Sequence, residues 1–387
     1  MAPETPSIQT PRAPTAAQVV ALIRQRVRTG GLPVGEVLPA ERTLAQNMGV
    51  ARGTLRAALR QLEGEGVIQQ QGIRRRIHRV PAAEPGLLTD AVGIITVQRN
   101  EVASHQSPGW ETFVEVGAMQ QARQSNLNAL MLNVQSLRSD QAVRELTDRP
   151  LRGVAVVSAA YRQVGVAELL DRLDAAGLRV VTEGDPEGGE GHDRVVSDHA
   201  AGAAQVTRHL LGLGRRRIVY LLPASPANQY WVRHRLAGYR AAMAEAGLEP
   251  LPPSMQGRIT DSNGDPNLFE VGVMQMLGYL VDYQRQHGGF DALMCASDGQ
   301  VPQTIAALRK LGLTPQRDVL VTGYDNFWED MDDRAWEDTP PLVTVDKRNI
   351  EIGHRLVNLL LTDAGPAAPR IERITPRLVT LAQPLVN

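Results

Sequence analysis

Residues 38–80, "LPAERTLAQNMGVARGTLRAALRQLEGEGVIQQQGIRRRIHRV", are the stretch from which the fold of the N-terminal part can be predicted. The stretch contains eight arginines and no lysine, and most of it has the apolar spacing of helices. "AERTLAQNMG" predicts a short helix that ends at Gly49. "VARGTLRAALRQLEGEG" predicts a second helix in which Val50, Leu55, Leu59 and Leu62 face inward. Two short helices with an arginine-rich surface raise the question of nucleic-acid binding.

The segments on either side complete a small domain. Residues 16–30, "AAQVVALIRQRVRTG", predict a helix that ends at a glycine and carries one apolar stripe, made of Val19, Val20, Leu22, Ile23 and Val27. After the second short helix, "VIQQQGIRRRIHRV" alternates polar and β-branched residues around Gly72, which predicts a small β-hairpin. Three helices followed by a hairpin are the order of a winged helix-turn-helix, which we assign to residues 16–80.

Charge is distributed unevenly along the chain. Residues 1–80 contain twelve arginines, no lysine and five glutamates, so they carry a charge of +7. The remaining residues carry −8, although the whole chain has a formal net charge of only −1. Such segregation indicates that one end meets a polyanion such as DNA. The competing interpretation is a chance cluster of arginines on a solvated face.

Composition limits the class of protein. A chain of 387 residues is too long for one ordinary core, and 43% hydrophobic with 21% charged residues is typical of a globular protein. No segment approaches the apolar length of a membrane span. Residues 1–15 are rich in Pro and Thr and lack the apolar region of a signal peptide, so we expect a disordered tail. The single cysteine, Cys295, forms no internal disulfide, and a cytoplasmic location is the expectation.

From residue 90 the sequence predicts an α/β architecture, after a linker at residues 81–89 that contains two prolines and a glycine. Seven short apolar runs alternate with segments of helical length. These runs are "AVGIITV", "NALMLNV", "GVAVVS", "LRVVTE", "RIVYLLP", "DALMCAS" and "VLVTGYD". Runs that are apolar on both faces predict buried parallel strands between helices, and seven of them favour two α/β lobes.

Residues 18–80 resemble the DNA-binding domain of the GntR family of bacterial transcription regulators. The motif is Leu-Pro-x-Glu-Arg, then Gly-Val, Arg, Leu-Arg-x-Ala-Leu and Leu-x-x-x-Gly-x-Ile. The resemblance implies that the helix beginning near Ala51 enters the major groove and that the tip of the wing enters the minor groove. Ala51 and Gly53 depart from the family pattern. At the position of Ala51 the family often has a residue with a hydroxyl group.

The predicted DNA-contacting residues combine this resemblance with spacing along the helix. Arg52 and Arg56 lie four residues apart, so they share a helix face, and arginine can bind guanine O6 and N7 with two hydrogen bonds. Three arginines in succession cannot all face one side of a strand, and those after Gly72 are expected to contact phosphate. The predicted set is Arg42, Arg52, Gly53, Thr54, Arg56, Gln71, Gly72, Arg74 and Arg75.

Residues 90–387 resemble the effector-binding domain of the LacI family, which is related to periplasmic sugar-binding proteins. The resemblance rests on "RVVSDHAAGAAQVTRHLLGLGRRRIVYL", "RHRLAGYRAAMAEAGL", "DALMCASDGQVPQTIAALRKLGL", "DVLVTGYDN" and "PPLVTVDKRNIEIGHRLVNLLL". It implies two parallel-sheet lobes that enclose a ligand, lobe 1 at about 90–195 and 348–375, and lobe 2 at about 196–347 and 376–387. The combination of a GntR-type reader with a LacI-type sensor resembles the arrangement of arabinose repressors.

Candidate effector-binding residues follow from this second resemblance. Arg235 and Asp325 match positions that bind sugar in the family, Ser297 stands where Asn is common, and Lys347 matches a position often held by Gln or a basic residue. The aromatic doublets Tyr230–Trp231 and Phe327–Trp328 are candidates for stacking on a sugar, with packing in the core as the alternative. Further candidates are Glu183 or Asp185 after the fourth strand, and Asn100, His105 or Trp110 after the first.

These observations predict a DNA-binding transcription regulator, a repressor of carbohydrate-utilisation genes that responds to a sugar-like effector and forms a homodimer. We expect no catalytic residue, no metal site and no cofactor. One alternative is a solute-binding protein without a role in gene regulation. Another is a GntR-type enzyme that uses pyridoxal phosphate, which needs a Schiff-base lysine, and the chain contains only Lys310 and Lys347.

Overall fold

The structure is a computed structural model that describes residues 15–28, 31–72, 74–78, 90–97, 109–147, 151–162, 165–186, 189–224, 230–257, 259–362 and 369–383. The chain divides into two units, Met1–Gly86 and Leu87–Asn387. The predicted linker, nearly all of the predicted tail, and the candidates Asn100 and His105 lie outside the described residues.

The N-terminal unit contains three helices and a hairpin. The helices are α1 (Ala16–Arg28), α2 (Glu41–Asn47) and α3 (Arg52–Gly64). Strands β1 (Ile68–Gln71) and β2 (Arg74–Ile77) pair antiparallel, with Ile68 opposite Ile77. Gly49 between α2 and α3 and Gly72 at the hairpin tip have φ values of +64° and +62°, a region that glycine enters at little cost. The predicted order of elements is therefore observed.

The core of this unit is formed by one face of each helix and by the hairpin. Val19, Val20, Ile23 and Val27 of α1 are buried against Leu55, Leu59 and Leu62 of α3 and against Ile68 and Ile77. One predicted core position is wrong, because Leu22 is 42% exposed, whereas Val50 is half-buried and packs against the core as predicted. At 3.6 residues per turn, Leu22 lies beside the stripe that its four neighbours form, not within it.

Lobe 1 of the C-terminal unit is a six-stranded parallel sheet in the order β13-β7-β6-β5-β3-β4. Its strands are β3 (Ala91–Thr96), β4 (Asn128–Asn133), β5 (Val154–Val156), β6 (Val180–Glu183), β7 (Asp193–Ser197) and β13 (Ile371–Ile374). Helices α4 (Trp110–Gln124), α5 (Asp140–Thr147), α6 (Val166–Ala175) and α11 (Asn349–Leu361) cover it.

Lobe 2 is a four-stranded parallel sheet in the order β11-β10-β8-β9. The strands are β8 (Ile218–Pro223), β9 (Ser254–Gln256), β10 (Ala292–Cys295) and β11 (Leu320–Thr322). The helices are α7 (His199–Gly212), α8 (Tyr230–Glu245), α9 (Pro266–His287) and α10 (Val301–Lys310). Strands β12 (Val343–Asp346) and β14 (Arg377–Thr380) form a separate antiparallel pair that packs against this lobe.

Each of the seven predicted apolar runs contains a strand, but one prediction about burial is wrong. Strand β4 is not buried on both faces, and Met131 is 42% exposed. The reason is its place at the edge of the sheet, where only β3 pairs with it. Among the described residues, no helix has the length and apolar character needed to cross a bilayer.

Candidate DNA-binding surface and effector cleft

The N-terminus of α3 presents the predicted reading residues to solvent. Arg52, Gly53 and Arg56 are exposed, and Thr54 is half-buried. Ala51 occupies the N-cap position, and no side chain caps the helix there. Backbone N–H groups at an uncapped helix N-terminus, together with the helix dipole, favour an anion such as phosphate. The missing hydroxyl at Ala51 therefore leaves this helix end open to a phosphate oxygen.

Glu41 at the start of α2 connects the reading helix to the wing. Its Oε2 accepts hydrogen bonds from Arg56 Nε at 3.2 Å and Nη2 at 2.9 Å. Its Oε1 accepts one from Arg75 Nη1 at 2.8 Å, and Arg75 also binds Glu63 through Nε. Hydrogen bonds from Arg56 and Arg75 lower the pKa of Glu41. Sequence reasoning missed Glu41 as part of the site, although it belongs to the quoted "LPAER" motif.

The wing arginines separate according to strand alternation. Arg74 and Arg76 are exposed on one face of β2, while Arg75 is half-buried on the face that carries Ile77. The guanidinium of Arg75 is bound to Glu41 and Glu63, and a contact of Arg75 with phosphate stays a prediction. Arg42, Gln71 and Gly72 are exposed, as a contact with DNA requires.

A buried cluster of charges lies in the C-terminal unit where β11 and β12 end. Asp325 Oδ1 is 3.1 Å from Lys347 Nζ and 3.7 Å from Arg235 Nη2, and all three side chains are almost fully buried. Arg235 also donates from Nη1 to the carbonyl of Ala296 at 2.5 Å. The structure therefore brings together three residues that the sequence singled out separately.

Aromatic rings enclose these two cations. The guanidinium of Arg235 lies 3.4 Å from the ring centroid of Tyr324 and 4.5 Å from that of Trp231. Lys347 Nζ lies 3.8 Å from the ring centroid of Trp110, which belongs to α4 of lobe 1. Cation–π contacts of this kind strengthen as water is excluded. Trp231 and Trp110 therefore belong with the buried cluster of charges.

Trp328 has a role other than the predicted one, and the exposed Asp185, still a predicted effector contact, pairs with a neighbouring arginine. Trp328 is 2% exposed and packs in the core of lobe 2, so the alternative of core packing replaces that of sugar stacking. Asp185 is exposed and forms an ion pair with Arg194 Nε at 3.1 Å. Asp185 follows β6 by two residues, since Glu183 is the last residue of the strand.

Glu183 faces the cluster from lobe 1. It is 4% exposed, and its Oε2 accepts a hydrogen bond from the backbone N–H of Ser158 at 2.9 Å. Burial raises the pKa of Glu183, while the positive charge of Lys347 and the Ser158 N–H act in the opposite direction. A buried carboxyl group of this kind can accept from a ligand hydroxyl or, when protonated, donate to one.

His199 is a member of the site that sequence reasoning missed. Its Nδ1 lies 3.4 Å from Arg235 Nε and 3.5 Å from the hydroxyl of Tyr324. Burial, followed by the positive charge of Arg235, holds the pKa of His199 well below its usual value. The ring is therefore neutral, and Nδ1 accepts from Arg235 because a guanidinium can only donate. The signal in the sequence was its place at the first position of α7, directly after "SD".

The Asp325 turn is held by an unusual buried carboxylate. Asp325 and Asn326 have φ values of +93° and +56°, and such conformations cost on the order of 1–3 kcal/mol for residues other than glycine. Asp298, which is fully buried, binds this turn, and burial raises its pKa to about 7. The neighbouring residue Ser297 caps the short 3-10 turn Asp298–Gln300, since its Oγ accepts from the Gly299 N–H at 3.4 Å.

The two lobes contact each other around the cluster. Trp110 and Phe113 of α4 pack against the core of lobe 2. Gly184, with φ +79°, lies so close to Tyr230 that an added Cβ would be 2.2 Å from the tyrosine hydroxyl oxygen. In this cluster the two buried cations share one carboxylate, and a second carboxyl group faces them from lobe 1. This arrangement suits a small polar ligand with hydroxyl or acidic groups.

Comparisons with known proteins agree with both parts of this description. Residues 15–75 match the family of bacterial regulatory proteins named gntR, and residues 207–380 match the periplasmic binding protein-like domain. The HTH-type transcriptional repressor PurR of Haemophilus influenzae (strain PittEE) is 25% identical over 242 residues, which cover 60% of this chain and 65% of that protein. The ribose operon repressor of Haemophilus influenzae is 28% identical over 169 residues, which cover 44% and 46%. The chain thus spans less than two-thirds of the length of either relative.

Solved structures show the same fold. A complex of the transcriptional regulator CelR with cellobiose has a TM-score of 0.58 and 21% identity, and the match covers 89% of this chain and 99% of that chain. A LacI family transcriptional regulator from Enterococcus faecium with bound ribose has a TM-score of 0.55 and 19% identity, covering 76% and 100%. Both resemblances inferred from the sequence are confirmed: the chain carries a GntR-type helix-turn-helix domain, followed by a periplasmic-binding-protein-like domain with the fold of LacI-family regulators.

Proposed function

We propose that the protein is a sequence-specific DNA-binding transcription regulator, a repressor of carbohydrate-utilisation genes whose cleft binds a sugar or sugar-like effector. The observation that carries the proposal is one chain with two sites. The exposed Arg52–Arg56 face of α3 suits the major groove, and the buried cluster of Arg235, Asp325 and Lys347 suits a polar ligand. Double-stranded operator DNA is the proposed partner of the first site.

The chemistry of the cleft supports a sugar. Asp325 and Arg235 can hold neighbouring hydroxyls through paired acceptors and donors, and Trp110 and Trp231 offer apolar faces for the C–H bonds of a sugar ring. The relatives point to the same class, since their names include a ribose operon repressor and complexes with cellobiose and ribose. We propose that effector binding changes the spacing between two DNA-binding units.

A homodimer is part of the proposal, and the exposed face of α9 supports it. Val271, Met274 and Val281 are 45%, 51% and 46% exposed and, with Gly278, follow the alternating spacing of three and four residues that pairs helices. Nothing lies within 4 Å of an added Cβ at Gly278, so another helix could approach there. Dimers with twofold symmetry pair the same patch of both subunits, so the proposed occupant is α9 of a second copy.

A cytoplasmic location without enzymatic activity completes the proposal. The enzyme alternative needs a lysine that can form a Schiff base. Lys310 is in a surface ion pair with Glu270 at 2.7 Å, and Lys347 is buried against Asp325. The alternative of a solute-binding protein without gene regulation leaves the arginine face of α3 without a role.

Selection of DNA by the protein tests the reading site. The wild-type protein should enrich a pseudo-palindromic sequence from a random duplex library, and Arg52→Ala should lower specific affinity by about 1–3 kcal/mol. Arg60→Ala is the matched control on the same helix, because Arg60 is exposed but lies away from the N-terminal turn. Enrichment of no sequence, or equal effects of the two substitutions, would contradict the proposal.

A panel of pentoses, hexoses and disaccharides tests the cleft. A ligand that binds only the folded protein raises the melting temperature in proportion to the logarithm of its concentration. We expect at least one sugar to stabilise the C-terminal unit of the wild-type protein and not that of Arg235→Ala. Stabilisation by none of them would reject a sugar as the effector.

A further inference from the structure

The turn that carries Asp325 has a conformation that its own residues do not favour. It comprises residues 323–327, which follow the end of β11 at Thr322 and lie beside β12. Two consecutive residues other than glycine, Asp325 and Asn326, have positive φ values. L-amino acids rarely adopt this region, so contacts from outside the turn must hold it.

Asp298 supplies three of those contacts from a fully buried position at the end of β10. Its Oδ2 accepts from the backbone N–H of Phe327 at 2.8 Å, and its own N–H donates to the carbonyl of Tyr324 at 2.8 Å. Its Oδ1 accepts from the Thr344 hydroxyl at 2.7 Å. The backbone N–H of Asp298 therefore holds the turn at Tyr324, and its carboxylate holds the turn at Phe327 and the neighbouring strand β12 at Thr344.

The fit between the carboxylate and the turn is close. An added Cβ at Gly323 would lie 1.9 Å from Asp298 Oδ1, so the carboxylate rests directly against the backbone. Thr344 Oγ1 also accepts from the N–H of Asn326 at 3.3 Å, which extends the network to the middle of the turn. Burial of a carboxylate is costly, and an apolar residue would fill the same space without that cost if packing were the only requirement.

We propose that Asp298 is a positioning residue of the effector cleft, which fixes the turn at residues 323–327 so that the Asp325 carboxylate lies between Lys347 and Arg235. Asp298 itself faces Phe327, Tyr324 and Thr344, and it acts through Asp325. The effect of Asp298 on effector affinity rests on the proposed function, whereas the effect of Asp298 on the position of Asp325 does not.

The two lysines of the chain provide a readout that needs no effector. Lys347 Nζ lies 3.1 Å from Asp325 Oδ1 and 3.8 Å from the ring centroid of Trp110, and the ring shields nuclei above its face. Lys310 is on the surface in its pair with Glu270 and serves as the internal control. The experiment records the Cε–Hε resonances of both lysines by NMR in the full-length protein labelled with ¹³C-lysine.

We expect Asp298→Asn to move the Lys347 resonance in the same direction as Asp325→Asn, with Lys310 unchanged. An asparagine has one acceptor oxygen, so it cannot accept from both Phe327 and Thr344. Thr344→Val, which removes one of the contacts, should cause a smaller movement in that direction. Asp291→Asn, at the opposite end of β10, is the matched control and should move neither resonance.

A double substitution separates positioning from a general structural role. If Asp298 acts through Asp325, the Lys347 resonance of Asp298→Asn/Asp325→Asn should coincide with that of Asp325→Asn alone. Additive displacements, or an unmoved Lys347 resonance in folded Asp298→Asn and Thr344→Val, would overturn the proposal. Failure of every sugar to bind would reject the proposed function and leave these lysine results unaffected, so the two failures are distinguishable.

Discussion

At the scale of single residues, burial decides what each arginine does. Arg52 is exposed on the first turn of α3, Arg75 is bound to two glutamates, and Arg235 is buried between aromatic rings. The sequence supplied the residue type and the spacing for all three. It did not supply the partners, because Glu41 and Glu63 reach Arg75 only after the hairpin folds back against α2 and α3.

Arg74 and Arg75 are neighbours for which we predict opposite effects. Arg75→Ala should lower the free energy of local unfolding around β2 by about 1–3 kcal/mol, because Glu63 and Oε1 of Glu41 both lose their contact with this guanidinium. Hydrogen exchange of the amides of α2 and β2 measures this change. Arg74→Ala should leave exchange unchanged and reduce by about 1 the slope of log affinity for DNA against log salt. Equal exchange rates in the Arg74→Ala and Arg75→Ala variants would contradict these different roles of the two arginines.

Asp298 gives a prediction about pH. Burial raises its folded pKa to about 7 from 3.8, and Asp325 and Cys295 are titratable groups that interact electrostatically with it. The folded protein therefore holds this proton more tightly than the unfolded chain. The stabilisation is complete below pH 4 and is lost as the pH rises through 7, on the order of 4 kcal/mol for the full shift.

Asparagine does not titrate, so the stability of Asp298→Asn relative to wild type should increase between pH 5 and pH 8. Denaturant unfolding of the C-terminal unit at a series of pH values measures the difference. Parallel curves for the two proteins would mean that Asp298 does not change its protonation on unfolding in this range.

At the scale of elements, alternation of apolar runs with helical segments was sufficient for the seven strands that the sequence predicted. It missed β7, β9, β12, β13 and β14, which are short or carry charged residues such as Asp193, Arg194 and Arg373. It also overestimated the burial of β4, since a sequence pattern does not show which strand lies at an edge. Trp110 and Glu183 were found only as alternatives, because both approach Lys347 from lobe 1, and a sequence pattern does not show this approach.

Among the contacts between elements, the one at Gly184 is expected to change the arrangement of the lobes most when it is altered. Gly184→Ala would place a Cβ 2.2 Å from the hydroxyl oxygen of Tyr230, so we expect the lobes to separate and the radius of gyration in solution scattering to increase. Gly177→Ala is the matched control, because φ is +71° there and nothing lies within 4 Å of an added Cβ. Both substitutions should destabilise the protein by about 1–2 kcal/mol through backbone strain, but only Gly184→Ala should change the scattering. Equal scattering curves would reject the contact.

At the scale of the whole molecule, binding of a pseudo-palindromic operator requires two copies of the chain to meet. The apolar seam of α9 is the proposed meeting surface, and Val281→Asp should therefore convert the dimer to a monomer in sedimentation experiments. Leu213→Asp is the control, since Leu213 is a 40% exposed apolar residue on another element. A dimer that survives Val281→Asp unchanged, or a wild-type protein that sediments as a monomer, would contradict the use of this seam.

In the proposed function, a ligand in the cleft controls DNA binding by the same chain. Fluorescence anisotropy of the selected operator, recorded while the stabilising sugar is titrated, measures this control. We predict that the sugar changes the operator affinity of the wild-type protein and of Arg208→Ala, a surface variant that loses the pair with Glu245. Arg235→Ala should bind the operator normally and show no response. An operator affinity that is independent of sugar in the wild-type protein, or a full response in Arg235→Ala, would contradict the account.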